Sequence, residues 1–457
     1  MNKQVKVGKF ALESLTTGMY NDPFIVFREY IQNSADGIDD AVSQGVITYE
    51  DSYIRVMLDS KDNRIIIEDN GIGISQSNAL NILTNIGNSK KSYFNHKGFR
   101  GIGRLAGLTY CDKLIFETSL VGENVKSVIT FNAQRLRELL IPGKYDSHGM
   151  TEVINEITSV EIKEEESTKH YFSVIMENIK SKYKLLELEA VEEYIKQVAP
   201  IEFDLAKFKF AKGLYESLNS MSLYEPSYNV YLGKYPQKMK KILKPYKTKF
   251  YADMSKKILD NVTGLQVREI RNDYTGKTIA LVWYGKCELL GTILDSQIKG
   301  LRLRKSGLLI GDRFTLNSLF KEDRFNGWVQ GEVLVFDEDI IPNARRDDFE
   351  QNEAYMYLIE KLKDVAEEIS NEIRETSKIR NKNKVINAKE ESDISNNRLR
   401  SVNDLQRNEL INKVDHLIEK SNIYKETLIE KIRNVLNEEL NSQKAEMVIE
   451  KIEKLIS

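Results

Sequence analysis

Proline, histidine and cysteine are scarce in this chain, at 7, 4 and 2 among 457 residues. Cys111 and Cys287 lie far apart in apolar surroundings, which excludes a disulfide framework and predicts two buried thiols in a reducing compartment. His96, His148, His170 and His416 are scattered, so with two cysteines they supply no structural zinc site. No apolar run reaches the roughly 18 residues that a spanning helix requires. Met1 to Phe10 carries positive charge with no apolar run behind it, so no secretory leader is expected and a cytoplasmic location is. A net charge of −2 gives no global field for nucleic acid or an acidic membrane, leaving only local patches to act. The phosphate loop Gly-x-x-x-x-Gly-Lys-Ser/Thr is absent, so any phosphate must be held in another way.

The length suits about three domains. Residues 1–160 alternate helix and strand signals. A helix is expected over Phe24–Ala41, started by Asn21-Asp22-Pro23, with strands at Tyr53–Leu58, Arg64–Glu68, Lys113–Ser119, Val125–Asn132 and Met150–Ile157. The polar break Lys163–Thr168 leads into a second α/β region over 170–350. Its expected strands are Tyr171–Met176, Ile279–Tyr284, Gly307–Ile310 and Gly331–Phe336, with a short helix at Val191–Val198. Residues 353–457 contain neither proline nor glycine. Ile359, Leu362, Val365, Ile369 and Ile373 recur there at helical spacing, as do Leu410, Val414 and Leu417, and later Leu428, Ile432 and Val435. The expectation is an α+β protein ending in a helical interaction or dimerisation region, whose helices pair with each other or with a second subunit.

Three segments carry the chemistry. In Glu29-Tyr-Ile-Gln-Asn33-Ser-Ala-Asp36, the offsets i, i+4 and i+7 place Glu29, Asn33 and Asp36 on one helical face. The Asn33 amide oxygen suits a hard cation, and the Glu29 carboxylate suits a general base acting on water. A strand then runs into Asp69-Asn-Gly71-Ile-Gly73, where Asp69 can accept from the adenine amino group and the glycines admit a flat base against the backbone. The third segment runs from Ile86-Gly-Asn-Ser89-Lys90 through a polar loop to Gly98-Phe-Arg-Gly101-Ile-Gly103. Its backbone N–H groups can form an anion nest, with Ser89, Lys90 and Arg100 or Arg104 adding to phosphate binding. The glycines also make this segment a candidate lid.

In this order, the three segments resemble the N, G1 and G2 boxes of the GHKL ATPases, which include gyrase-type topoisomerases, ninety-kilodalton heat-shock chaperones, histidine kinases and MutL proteins. The resemblance implies a Bergerat-type α/β sandwich binding ATP and Mg²⁺, with Glu29 as base, Asn33 as metal ligand and Asp69 on adenine. His148-Gly-Met-Thr151-Glu-Val153 resembles the family's later Gly-Thr strand, which would bring Thr151 near Asp69. Within the superfamily the chaperones look nearest. Ile340-Ile-Pro342-Asn-Ala-Arg345-Arg346 resembles their middle-domain loop, which sends an arginine to the γ-phosphate. Arg345 or Arg346 is then the sensor, with Arg302, Arg304 and Lys305 as rivals. The implied function is a chaperone-like, ATP-hydrolysing switch working as a homodimer on an unknown partner, with 170–350 as transducer. Histidine kinase is disfavoured, because no helical phosphoacceptor histidine precedes the ATP module. The alternative is an ATP-gated clamp of MutL-like or microrchidia-like type that engages DNA through Lys378-Ile-Arg380-Asn-Lys382-Asn-Lys384 in genome maintenance or defence.

Overall fold

The computed structural model describes residues 7–16, 18–19, 22–87, 101–145, 147–252, 254, 256–397, 414, 429–437 and 442–456. The chain divides into two compact units, Met1–Ser377 and Lys378–Ser457. No helix among the described residues is long and apolar enough to cross a membrane.

The first unit begins with α1 (Phe10–Leu15) and α2 (Ile25–Ser43). Asp22 helps to start α2, its side chain accepting from the Phe24 N–H at 3.0 Å. The hairpin β1 (Ile54–Asp59) and β2 (Arg64–Asp69) follows, then α3 (Gln76–Thr84), β3 (Lys113–Ser119), β4 (Val125–Asn132), α4 (Ala133–Leu139), α5 (Met150–Ile157), β5 (Thr158–Glu164), β6 (Tyr171–Glu177) and α6 (Leu188–Val198). After α7 (Ala211–Ser220) come β7 (Val230–Lys234) and β8 (Lys240–Lys241). One eight-stranded sheet runs in the order β5-β4-β3-β6-β2-β1-β7-β8, with β1 and β7 parallel and its other pairs antiparallel. Strand periodicity places the chemistry. Ile65, Ile67 and Asp69 are the buried alternates of β2, so the carboxylate shares the core-facing side with two isoleucines.

Three expectations change here. Met150–Ile157 is a helix, because Val153, Ile154 and Ile157 form a buried stripe at helical spacing despite their β-branched composition. Tyr171–Met176 belongs to the first sheet, where β6 lies between β3 and β2, and β7 joins that sheet too, so this domain extends well past residue 160. The stripe of Leu362, Val365, Ile369 and Ile373 is covered within the chain, as described next.

The ribbon β9 (Lys249–Tyr251) and β10 (Leu259–Asn261) precedes a second sheet, ordered β11-β12-β15-β13-β14. Its strands are β11 (Gly264–Arg271), β12 (Thr278–Lys286), β13 (Gly300–Lys305), β14 (Leu308–Ile310) and β15 (Gln330–Val335). Strand β12 alternates between two cores. Ala280, Val282 and Tyr284 face the first half of α8 (Glu353–Asn397), while Leu281 and Trp283 pack with Leu214 and Leu218 of α7 and Phe250 of the ribbon. A strand buried on both faces reads as the continuous apolar run seen in Ile279–Tyr284. The second unit holds the end of α8, a helical stretch over 429–437 and α9 (Ser442–Ile456), in which Ala445 and Ile449 are buried.

Candidate functional site

Helix α2 is the spine of the site. Its apolar residues Phe27, Ile31 and Ile38 anchor it in the core, leaving Glu29, Gln32, Asn33, Gly37 and Asp40 along a cavity of about 530 Å³. Asp69 and Gly73 line the cavity from the end of β2, α3 adds Asn78, Asn81 and Leu83, and Gly101 to Arg104 close another side. The second sheet's domain completes the wall with Asn343, Ala344 and Arg346.

The loop after β2 is held at four points. The Gly71 N–H donates to Asp69 Oδ1 at 2.9 Å, and the Ile72 N–H to the Gly37 carbonyl at 2.9 Å. The Ile74 N–H donates to Thr118 Oγ1 at 2.8 Å, while His170 Nδ1 meets the Gly71 carbonyl at 2.9 Å and so carries the proton there. Gly73 has a φ of +74°, and a β-carbon on it would lie 1.9 Å from the Ser119 carbonyl oxygen, so no other residue fits. Gly103 lies close to the glutamate, since a β-carbon there would be 1.8 Å from Glu29 Oε2 and would push that side chain aside. Tyr30, beside Glu29, ties this segment to α2. Its hydroxyl donates to the Arg104 carbonyl at 3.2 Å and accepts from the Gly107 N–H at 2.8 Å. Arg104 donates to the Gly101 carbonyl, and burial lowers its pKa.

Among the described residues, acceptor oxygens buried on the cavity wall without a hydrogen-bond partner include Glu29 Oε1, Gln32 Oε1 and Asn343 Oδ1. The Arg28 guanidinium lies 3.8 Å from Glu29 Oε1. Buried acceptors left open are costly unless something brings donors or positive charge to them. They therefore suit a hydrated cation and an ordered water. Among the described residues no cluster of three or more His, Cys, Asp or Glu could hold a metal alone. Asn33 offers one oxygen ligand, so a Mg²⁺ ion fits here when a ligand's phosphates supply the rest.

The Asn343–Arg346 loop is fixed from both sides. Pro342 pairs with Phe349 in an isolated bridge, and the Gly311 N–H donates to the Arg346 carbonyl at 2.9 Å. From α2, Arg28 donates to the Arg345 carbonyl at 2.7 Å and the Arg346 carbonyl at 3.4 Å. Arg346 takes a left-handed backbone, φ +57°, and is 8% exposed against the cavity, whereas Arg345 points outward and is exposed.

Of the residues singled out in the sequence, Glu29, Asn33, Asp69, Gly73, Gly101, Gly103 and Arg346 line this cavity. Asp36 does not. It is wholly buried and contributes to the raised pKa of Tyr228, which is due first to burial and then to Asp39. Gly71 lies beneath the wall against Gly37, and Arg345, exposed, is not part of this wall. Thr151 is exposed on α5 and does not line the cavity, a correction that follows from the helical stripe of that segment. Arg302, Arg304 and Lys305 are committed elsewhere. Arg302 donates to Gln197 Oε1 and to backbone carbonyls, Arg304 pairs with Glu332, and Lys305 donates to the Asp337 carbonyl. Ser89, Lys90, Gly98 and Arg100 lie outside the described residues. Sequence reading missed Gln32, Thr118, His170 and Asn343, whose roles depend on what the fold brings beside them. Burial pushes both thiols, Cys111 and Cys287, up to about 12.

Residues 21–172 match the family described as histidine kinase-, DNA gyrase B-, and HSP90-like ATPase. Over 129 residues the chain is 33% identical to the chaperone protein HtpG of Acinetobacter baylyi, covering 24% of this chain and 20% of that one. Over 132 residues it is 30% identical to HtpG of Buchnera aphidicola, covering 25% and 21%. The chain thus matches about a fifth of the length of these curated relatives. The N-terminal part of this protein is a GHKL-type ATPase domain, similar to that of the ninety-kilodalton heat-shock chaperones.

Proposed function

We propose that this protein is a Mg²⁺-dependent ATP hydrolase whose nucleotide cycle drives a conformational switch of chaperone-like type. The observation that carries the reading is one cavity lined jointly by Glu29, Asn33 and Asp69 of the ATPase domain and by Asn343 and Arg346 of the second. Asp69 would accept from the adenine amino group, and Gly73 would let the base lie against the backbone. When bound, Mg²⁺ would offset phosphate charge, with Asn33 and the phosphates as its ligands. Glu29 would take the proton of the attacking water, and Arg346 would meet the charge that develops on the terminal phosphoryl group. The Arg28 clamp on the Arg345 and Arg346 carbonyls supports such a role, because it couples the helix bearing the base to the loop bearing the arginine. The finer steps of the cycle are closure of the glycine-rich segment ending at Gly103 and pairing of two chains.

A DNA-engaging clamp is the second reading; Lys378, Arg380 and Lys382 fall within α8, where steps of two residues alternate between opposite sides of the helix.

Glu29→Ala should lower steady-state ATP turnover by about 10²- to 10⁴-fold while leaving binding of an ATP analogue within about threefold. Turnover at the unmodified rate would remove Glu29 as the base.

A further inference from the structure

Another cavity, of about 580 Å³, lies where α2 and α6 meet the loops of the second sheet's domain, and it shares Arg346 with the nucleotide cavity. Small-molecule sites favour such junctions and have volumes of roughly 300–1,000 Å³. Part of its wall is apolar, formed by Ile25, Tyr194, Leu309 and Phe314. The Phe24 ring braces Tyr194, with 5.5 Å between centroids. Another part is cationic, with Arg28, Arg313, Arg345 and Arg346. Arg28 is 5% exposed. Its terminal nitrogens hold the Arg345 and Arg346 carbonyls, but its Nε is buried with no hydrogen-bond partner. Arg313 is half-buried and Arg345 exposed, and no carboxylate among the described residues pairs with either. The Arg313 guanidinium sits 4.6 Å from the Phe314 ring centroid. It also lowers the pKa of Lys299, after burial, so two cations crowd this corner. Asp22, Asp312 and Asp347 line the cavity too, but each has a carboxylate oxygen engaged nearby. The Phe24 N–H, the Phe314 N–H and the Asn343 amide donate to them at 3.0, 2.7 and 2.6 Å. Four guanidinium groups against three carboxylates leave positive charge in surplus.

From this wall we infer that the cavity is a second ligand site, taking a small organic anion with an apolar or aromatic body and an oxyanion head. The arginines select the head. Guanidinium groups present planar, forked donors that match the oxygens of a carboxylate, sulfonate or phosphate, and such charge-assisted bonds are the strong ones. A buried donor without a partner, as at Arg28 Nε, is costly unless an acceptor comes to it. The apolar wall selects the body. A bare inorganic anion would leave most of about 580 Å³ unfilled and would gain nothing from Ile25, Leu309 and the two rings.

The test is a fluorescence titration of the full chain with anilinonaphthalene sulfonate, an aromatic anion, in the presence of saturating ATP analogue. Saturable binding to a single site is expected. The uncharged parent, phenylnaphthylamine, should bind at least about tenfold more weakly, because it has no head for the arginines. Arg313→Gln should weaken the sulfonate by about tenfold, the loss of one charge-assisted hydrogen bond. Phe314→Ala should weaken both probes by about threefold, through loss of ring contact. ATP-analogue binding and the thermal melt of both variants should match the unmodified protein. No readout requires ATP turnover, so the result is independent of the proposed hydrolase. The inference is overturned if the sulfonate does not saturate a single site, or if ATP analogue displaces it, which would place it in the nucleotide cavity. Equal affinity for the uncharged parent would overturn it on the unmodified protein alone, and so would unchanged sulfonate affinity in Arg313→Gln.

Discussion

Glu29 and Glu332 are both buried carboxylates, 6% and 0% exposed, but their surroundings are built on opposite terms. Glu332 on β15 is saturated. Lys244 donates to it at 2.8 Å, Tyr246 donates at 3.1 Å, and Arg304 pairs with it from the neighbouring strand. Burial alone would raise its pKa, but Arg304 and then Lys244 outweigh that and hold it at about 2. Glu29 has one oxygen with no hydrogen-bond partner, on a cavity whose wall also carries the open acceptors Gln32 Oε1 and Asn343 Oδ1. Charge buried with all its partners ties strands together. Charge buried without them, beside space, marks where a ligand's partners are to arrive.

The saturated cluster is the harder to perturb without damage. Glu332→Ala would leave Lys244 and Arg304 buried without their counter-charge, so a loss of about 3–5 kcal/mol is expected in denaturant unfolding at neutral pH. A loss below about 1 kcal/mol would break the contrast, placing the cluster nearer to an ordinary surface pair. On the open side, Asp69→Asn should weaken ATP-analogue binding by about tenfold or more with little change in unfolding, because the acceptor proposed for the adenine amino group would lose its charge. Unchanged affinity in isothermal titration would remove Asp69 from base recognition.

The smallest effect sharpens the comparison through pH. Glu225, whose Oε1 accepts from the Gly307 N–H at 2.6 Å, is raised to about 7, first by burial and also by Glu332, with Lys244 and Arg304 opposing. A carboxyl raised on folding contributes stability below its ordinary 4.5, and that contribution is lost as pH rises through about 7. Glu332, lowered on folding, does the reverse: its contribution is present above 4.5 and lost as pH falls toward about 2. Glu225→Gln should therefore raise Tm relative to the unmodified protein more at pH above 7 than near 5. An equal shift at both pH values would show that Glu225 does not titrate in this range.

Much of the first domain was legible because its signals are local. Strands β3 and β4 fall on the segments read as Lys113–Ser119 and Val125–Asn132, and α2 begins at its Asp22-Pro23 start signal. The failures have identifiable causes. In Met150–Ile157, strand-forming composition competed with a helical stripe, and burial of Val153, Ile154 and Ile157 against the core decided for the helix. Asp36, at i+7 from Glu29, falls on the same helical face as Asn33 by spacing, yet it ends among buried residues near Tyr228, because spacing gives direction from the helix axis but not what waits there. The same limit applies to the stripe of α8, whose periodicity announced a buried face without naming the second sheet as its cover.

The sequence by itself determined the order of the three motifs, the helix that aligns Glu29 with Asn33, and the strand that ends in Asp69, since each depends on residues within a few turns of one another. Only the tertiary structure brought Arg346 rather than Arg345 to the cavity wall, drew Arg302 and Arg304 into scaffolding, and placed Asn343 on the same cavity as Glu29. Those choices rest on contacts between residues 28 to 317 positions apart, such as Arg304 with Glu332 and Arg28 with the Arg345 carbonyl, and periodicity carries no information over such distances.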